Sequence, residues 1–81
     1  MDEKTILANI DGLVGEEHRL RQRLQAGEIT TDEEHARLRD VEEALDQCWD
    51  LLRRRRAARS AGENPEAVAP RSIQEVEGYL Q

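Results

Sequence analysis

The fold is decided by residues 38–52, LRDVEEALDQCWDLL. The apolar positions of this stretch recur at steps of three and four: Leu38, Val41, Leu45, Cys48 and Leu52. Such spacing puts the side chains on one stripe of a helix that packs along a partner helix. Thr30 and Thr31 each begin a capping-box pattern with a glutamate three residues later, and Gly62 suits a helix end. The sequence therefore predicts a helix over about residues 32–61.

A second helix is predicted upstream, over about residues 3–26, because its apolar residues follow a matching pattern: Ile6, Ile10, Leu13, Leu20 and Leu24. Gly27 suits the end of this helix and leaves a connection of only about four residues. A connection this short makes neighbouring helices antiparallel. The antiparallel arrangement would bring the acidic start of the chain, Asp2 and Glu3, beside Arg53–Arg56.

The remaining residues, 63–81, predict a loop followed by a short helix. Glu63-Asn64-Pro65 is typical of a turn, and Ser72 begins a further capping box with Glu75. The short helix is expected over residues 73–80. The fold class is thus all-α: a long, coiled-coil-like antiparallel hairpin over residues 1–62, then the loop and the C-terminal helix over residues 63–81.

Composition excludes several classes of protein. The 81 residues have a net charge of −6, so the chain as a whole repels nucleic acid and anionic membrane surfaces. No apolar stretch approaches the length that spans a membrane, and the N-terminus lacks the pattern of a signal peptide. We therefore expect a cytoplasmic protein with no membrane partner.

A single helical hairpin would not bury all of its apolar side chains. Two helices bury one stripe each, and the flanking residues would remain in water. We expect these residues to form a partner interface, which consists of Leu7, Val14, Trp49 and Leu51. A second copy of the chain is the expected partner, as a twofold dimer that forms a four-helix bundle, with another protein as the alternative.

The strongest local charge is a run of arginines: Arg53, Arg54, Arg55, Arg56 and Arg59. One interpretation is an anion-binding patch for the phosphates of a nucleic acid. The other is helix-end chemistry, in which cations near a helix C-terminus are neutralised by Asp2, Glu3, Glu63 and Glu66. We favour the second, because no aromatic residue interleaves the run to stack on bases.

Catalytic and metal-binding patterns are not recognisable in the sequence. His18 and His35 each follow a pair of glutamates, but the Glu-x-x-His spacing of helical metal sites is absent. Cys48 lies on the apolar stripe, where a cysteine usually acts as a small hydrophobic side chain. We expect no enzyme activity, no cofactor, no metal and no small-molecule substrate.

Three stretches together resemble a known family: residues 6–18, ILANIDGLVGEEH; residues 45–53, LDQCWDLLR; and residues 76–81, VEGYLQ. The resemblance is to a family of short actinobacterial proteins known as domain of unknown function 2630, and it extends over nearly the whole chain. It implies an actinobacterial origin and no particular activity.

Two hypotheses for function follow. The first is a non-catalytic helical module for protein–protein interaction or homodimerisation, with Trp49 as an anchor of the interface. The second is a nucleic-acid- or ribosome-associated factor that uses the basic patch Arg53–Arg59.

Overall fold

The structure, a computed structural model, describes the backbone of residues 2–80 and the side chains of residues 2–78. The chain forms two long helices, α1 (Glu3–Gln25) and α2 (Thr31–Ser60), and a short third helix, α3 (Ile73–Leu80). A single 3-10 turn over Pro65–Ala67 interrupts the linker between α2 and α3. The all-α hairpin with a C-terminal helix is confirmed, and the part of the chain that the structure describes contains no strand.

Local signals at the helix ends explain the hairpin turn. The Glu33 backbone N–H donates to Thr30 Oγ1 at 3.1 Å, and the Thr30 N–H donates back to Glu33 Oε1 at 3.3 Å, so the first of the two capping boxes forms. Gly27 and Gly62 adopt positive φ angles of 74° and 77°. This conformation lets the last carbonyls of α1 and α2 accept hydrogen bonds from the chain that follows, and it favours glycine.

The predicted apolar stripes form the seam between α1 and α2. Ile6, Ile10 and Leu52 pack together near the open end of the hairpin, and Leu20, Ile29 and Val41 pack together near the turn. Leu45 contacts both groups. The seam is therefore continuous along the hairpin and contains no aromatic side chain.

The linker after α2 folds back over one side of the hairpin. Val68 packs against the cluster of Ile6, Ile10 and Leu52, and Leu51 belongs to that same cluster with only 5% of its surface exposed. The prediction that Leu51 remains outside the core is therefore wrong. Its stripe is covered by the linker, whose path the apolar pattern of α2 does not indicate.

The three helices lie side by side in one layer. The Cα atoms extend over 51 × 26 × 14 Å, and α3 packs on α2 without reaching α1 within residues 2–80. Because α3 contacts α2 and not α1 within residues 2–80, the two helices α1 and α3 flank α2 on different sides. One broad face of the layer is partly covered by the linker.

The seam predicts which substitutions destabilise the chain. Leu52→Ala should lower the free energy of unfolding by about 2–5 kcal/mol, because Leu52 is enclosed in the core. His18→Ala changes an exposed side chain on α1 and should remain within about 0.5 kcal/mol. Urea denaturation followed by circular dichroism measures both, and equal effects of the two substitutions would refute this assignment of the core.

Candidate functional site

The arginine run does not form one surface. Arg55 is 3% exposed, and its guanidinium donates a short hydrogen bond to the Glu66 carboxylate in the linker. A buried cation requires a partner, and the linker supplies it. The 3-10 turn places Glu66: Asn64 Oδ1 accepts a hydrogen bond from the Glu66 N–H at 3.0 Å. The hydrogen bond from Arg55 lowers the pKa of the Glu66 carboxyl group.

The end of the run is neutralised by the start of the chain. Arg56 Nε donates to Glu3 Oε1 at 2.9 Å, and Arg59 Nη1 lies 3.8 Å from the same oxygen. The hydrogen bond from Arg56 is the main reason why the pKa of Glu3 is lowered. This contact between Glu3 and Arg56 confirms the predicted antiparallel register.

The five arginines of the possible anion-binding patch, Arg53–Arg59, therefore do not form one continuous surface. Arg55 lies inside the fold, and Arg56 and Arg59 share Glu3. Arg53 is exposed and Arg54 is half-buried, which leaves these two at the open side of α2. The favoured interpretation, neutralisation by acidic neighbours, agrees with the contacts of the other three arginines, of which Arg59 also lies in the last turn of α2.

Arg53 and Arg54 are joined by a third arginine that the arginine run does not include. Arg71, just before α3, lines one cleft with Arg53, Arg54, Asp50 and Ala57. Arg54 Nη1 donates to Asp50 Oδ2 at 3.2 Å, and Arg71 Nε lies 3.9 Å from that oxygen. The Asp50 side chain is buried, and it pairs with both guanidinium groups, through a hydrogen bond from Arg54 and an ion pair with Arg71.

The contact between α2 and α3 is acidic as well as apolar. Val76 is fully buried at this contact, and Gln47 Nε2 donates to the Arg71 carbonyl oxygen at 2.7 Å. Glu77 Oε1 is enclosed without a hydrogen-bond partner among the described residues. Interaction with the Asp46 carboxyl group, together with burial and the negative charges of Asp46 and Glu43, raises the pKa of Glu77. Neutral Glu77 therefore fits this contact better than the ionised form.

Large apolar side chains remain exposed on the hairpin. Leu7, Val14 and Trp49 are 37%, 40% and 41% exposed. Leu7 and Val14 lie one heptad apart on α1, and the pairing of Glu3 with Arg56 places Trp49 between their levels along the axis. Helical residues two apart point about 200° away from each other. Trp49 therefore lies on the side of α2 away from Leu51 and the linker.

The histidines and the cysteine do not come together to form a site. His18 and His35 are exposed on separate helices, and the described residues contain no group of three or more His, Cys, Asp or Glu that could hold a metal. Cys48 is half-buried beside the seam, where burial raises the pKa of its thiol. Within residues 2–80 no helix is long and apolar enough to cross a membrane.

Comparisons with known proteins identify the family. The model of the family described as "Protein of unknown function (DUF2630)" matches residues 2–81. Uncharacterised proteins of Mycobacterium bovis and Mycobacterium tuberculosis are 51% identical over 73 residues, which is 90% of this chain and 84% of each relative. The chain belongs to this family, which confirms the resemblance seen in the sequence. No solved structure gives a significant match.

The acidic contact of α3 predicts a dependence of stability on pH. Because the pKa of Glu77 is raised in the folded chain, its ionisation opposes folding as pH rises through that pKa. Glu77→Gln should therefore make the chain more stable than the unaltered protein at neutral pH. The difference should vanish below about pH 4.5, the ordinary pKa of the group.

Urea denaturation at a series of pH values measures this difference. Glu3 and Glu66 have lowered pKa values, which favour folding at higher pH. Their contributions to stability are the same in the Glu77→Gln and unaltered proteins, so they cancel when the two are compared at each pH. Glu63→Gln, at an exposed linker position, is the matched control and should show no such trend. A Glu77→Gln protein that is no more stable at neutral pH would contradict the assignment.

Proposed function

We propose that this member of the DUF2630 family is a non-catalytic helical interaction module that pairs with a second copy of itself. The interface would be the exposed flank formed by Leu7, Val14 and Trp49, which we call the apolar flank. The observation that supports it most is the exposure of these three large apolar side chains on the two long helices.

A second copy suits this flank because of its shape. A twofold interface is made of the same patch on both subunits, so each patch must fit itself. The apolar flank is a straight stripe, with Leu7 and Val14 on one helix and Trp49 between them on the other. Two such stripes packed face to face would form a four-helix bundle, a common arrangement for paired helical hairpins. Tryptophan is also among the side chains favoured as interface anchors.

The linker and α3 do not remove this need for a partner. The linker covers the Leu51 side of α2, and α3 packs on α2 through Val76 without reaching α1 within residues 2–80. Burial of an apolar side chain that is now exposed contributes roughly 25 cal/mol for each Å² removed from water. Pairing is therefore the main route by which the chain can gain further apolar burial.

The second candidate function, a nucleic-acid- or ribosome-associated factor, receives less support. It requires a row of exposed arginines along α2, and the burial of Arg55 interrupts that row. Arg56 and Arg59 are already paired with Glu3. The net charge of −6 opposes approach to a polyanion beyond the local patch. These observations favour the interaction module.

Sedimentation equilibrium tests the proposal directly. The intact chain at micromolar concentration should sediment as a dimer, and Val14→Glu should sediment as a monomer with its helix content retained. The charge introduced at position 14 would be buried unpaired in the dimer but exposed in the monomer. Ala8→Glu is the matched control, because Ala8 is exposed on α1 outside the apolar flank, and it should remain dimeric.

Two results would overturn the proposal. An intact chain that stays monomeric at these concentrations would show that the apolar flank does not bind a second copy. Dimers that dissociate equally in Val14→Glu and Ala8→Glu would place the interface elsewhere. Circular dichroism of each variant shows whether the hairpin itself has remained folded.

A further inference from the structure

The cleft between α2 and the start of α3 contains more positive charge than its surroundings neutralise. It is lined by Arg53, Arg54 and Arg71, with Asp50 as its single carboxylate, so three positive charges and one negative charge leave a net charge of +2. This excess is unusual in a chain with 18 acidic and 12 basic residues. The residues that line the cleft are not those of the apolar flank, although Arg53 lies one helical turn from Trp49 on α2.

The other arginines of the run show how this chain neutralises cations when their role is structural. Arg55 forms an ion pair with Glu66, and Arg56 and Arg59 form ion pairs with Glu3. Both carboxylates come from segments outside α2. No comparable acid reaches Arg53 among the described residues. Within the run, Arg53 is thus the guanidinium group without a carboxylate partner among the described residues, and its donors can face an external anion.

Helix-end chemistry does not account for Arg53 and Arg54. Favourable interaction of cations with the helix macrodipole is confined to about the last turn. The helix α2 ends at Ser60, so these two arginines lie nearly two turns before its end. Arg71 precedes α3, where the positive end of the dipole disfavours a cation. All three charges therefore require another explanation.

The hydrogen-bond donors that line the cleft are suited to an oxyanion such as phosphate. Asp50 Oδ2 engages Arg54 through Nη1 and lies near Arg71 through Nε, which leaves further N–H donors on both guanidinium groups. The buried carboxylate thus positions Arg54 by a hydrogen bond and keeps Arg71 within ion-pair distance before any ligand arrives. Guanidinium groups bind phosphate through pairs of parallel hydrogen bonds, and a dianionic phosphate matches the net charge of +2.

We propose that this cleft is a binding site for the phosphate group of a small phosphorylated ligand. Arg53, Arg54 and Arg71 donate hydrogen bonds to the phosphate oxygens, and Asp50 is a positioning residue. Because Arg71 lies on the segment that leads into α3, the bound phosphate also joins this segment to α2. Ligand binding should therefore strengthen the packing of α3.

Isothermal titration calorimetry with inorganic phosphate, against chloride at equal ionic strength, tests the site. Arg53→Gln should weaken phosphate binding by at least about tenfold, because one charge-assisted hydrogen-bonding group is lost. Arg37→Gln is the matched control: it removes the same charge from the same helix, roughly 24 Å away at 1.5 Å per residue. This control should bind phosphate as the unaltered chain does.

A second measurement separates the site from an effect on folding. Arg71→Gln should weaken phosphate binding and also abolish the phosphate-dependent slowing of amide hydrogen exchange at Val76. The monomer-forming Val14→Glu chain should keep full phosphate affinity, so failure of the dimer proposal and failure of this site are distinguishable.

The source of the phosphate follows from further titrations. Tighter binding of adenosine monophosphate than of inorganic phosphate, with none of adenosine, would identify a phosphate ester as the ligand, and equal affinity would identify free phosphate. The proposal is overturned if inorganic phosphate binds no better than chloride, or if Arg53→Gln and Arg37→Gln weaken binding equally. Binding of an RNA oligonucleotide without binding of small phosphates would also overturn it.

Discussion

The structure depends on the single apolar seam between α1 and α2. Each helix can bury only one stripe of side chains against the other, and the chain has no phenylalanine to widen the contact. The other elements of the fold cover some of the helix faces that the seam leaves exposed to solvent. The linker covers the Leu51 side, α3 covers the back of α2, and the side with Leu7, Val14 and Trp49 stays exposed.

Ion pairs add to the apolar packing of the seam. Glu3 joins the start of α1 to the end of α2 through Arg56, and Glu66 binds Arg55 beneath the linker. These pairs add polar contacts at two chain segments that Ile6 and Val68 already anchor in the apolar core. The cleft of Arg53, Arg54 and Arg71 is the exception, since its one carboxylate, Asp50, does not neutralise all three guanidinium groups. The same helix thus supplies both the structural ion pairs and the proposed phosphate site.

The sequence predicted the features that local residues determine, and it missed those that depend on the path of the linker. Apolar spacing and the signals at Thr30, Gly27 and Gly62 placed both long helices to within a residue at each end, because caps act on adjacent backbone groups. The burial of Leu51 and Arg55 was not predicted, since the linker that covers them returns from later in the chain. Arg71 gave no signal beyond its place before α3. The side chains of Tyr79 and Leu80 lie outside the described residues.

The central claim is that the apolar flank is covered by a second copy of the chain. Acrylamide quenching of Trp49 fluorescence across a dilution series tests it most directly, because Trp49 is the chain's one tryptophan and lies on that flank. Trp49 should be protected at high concentration and become accessible as the chain is diluted and the dimer dissociates. Equal accessibility of Trp49 at every concentration would contradict the account.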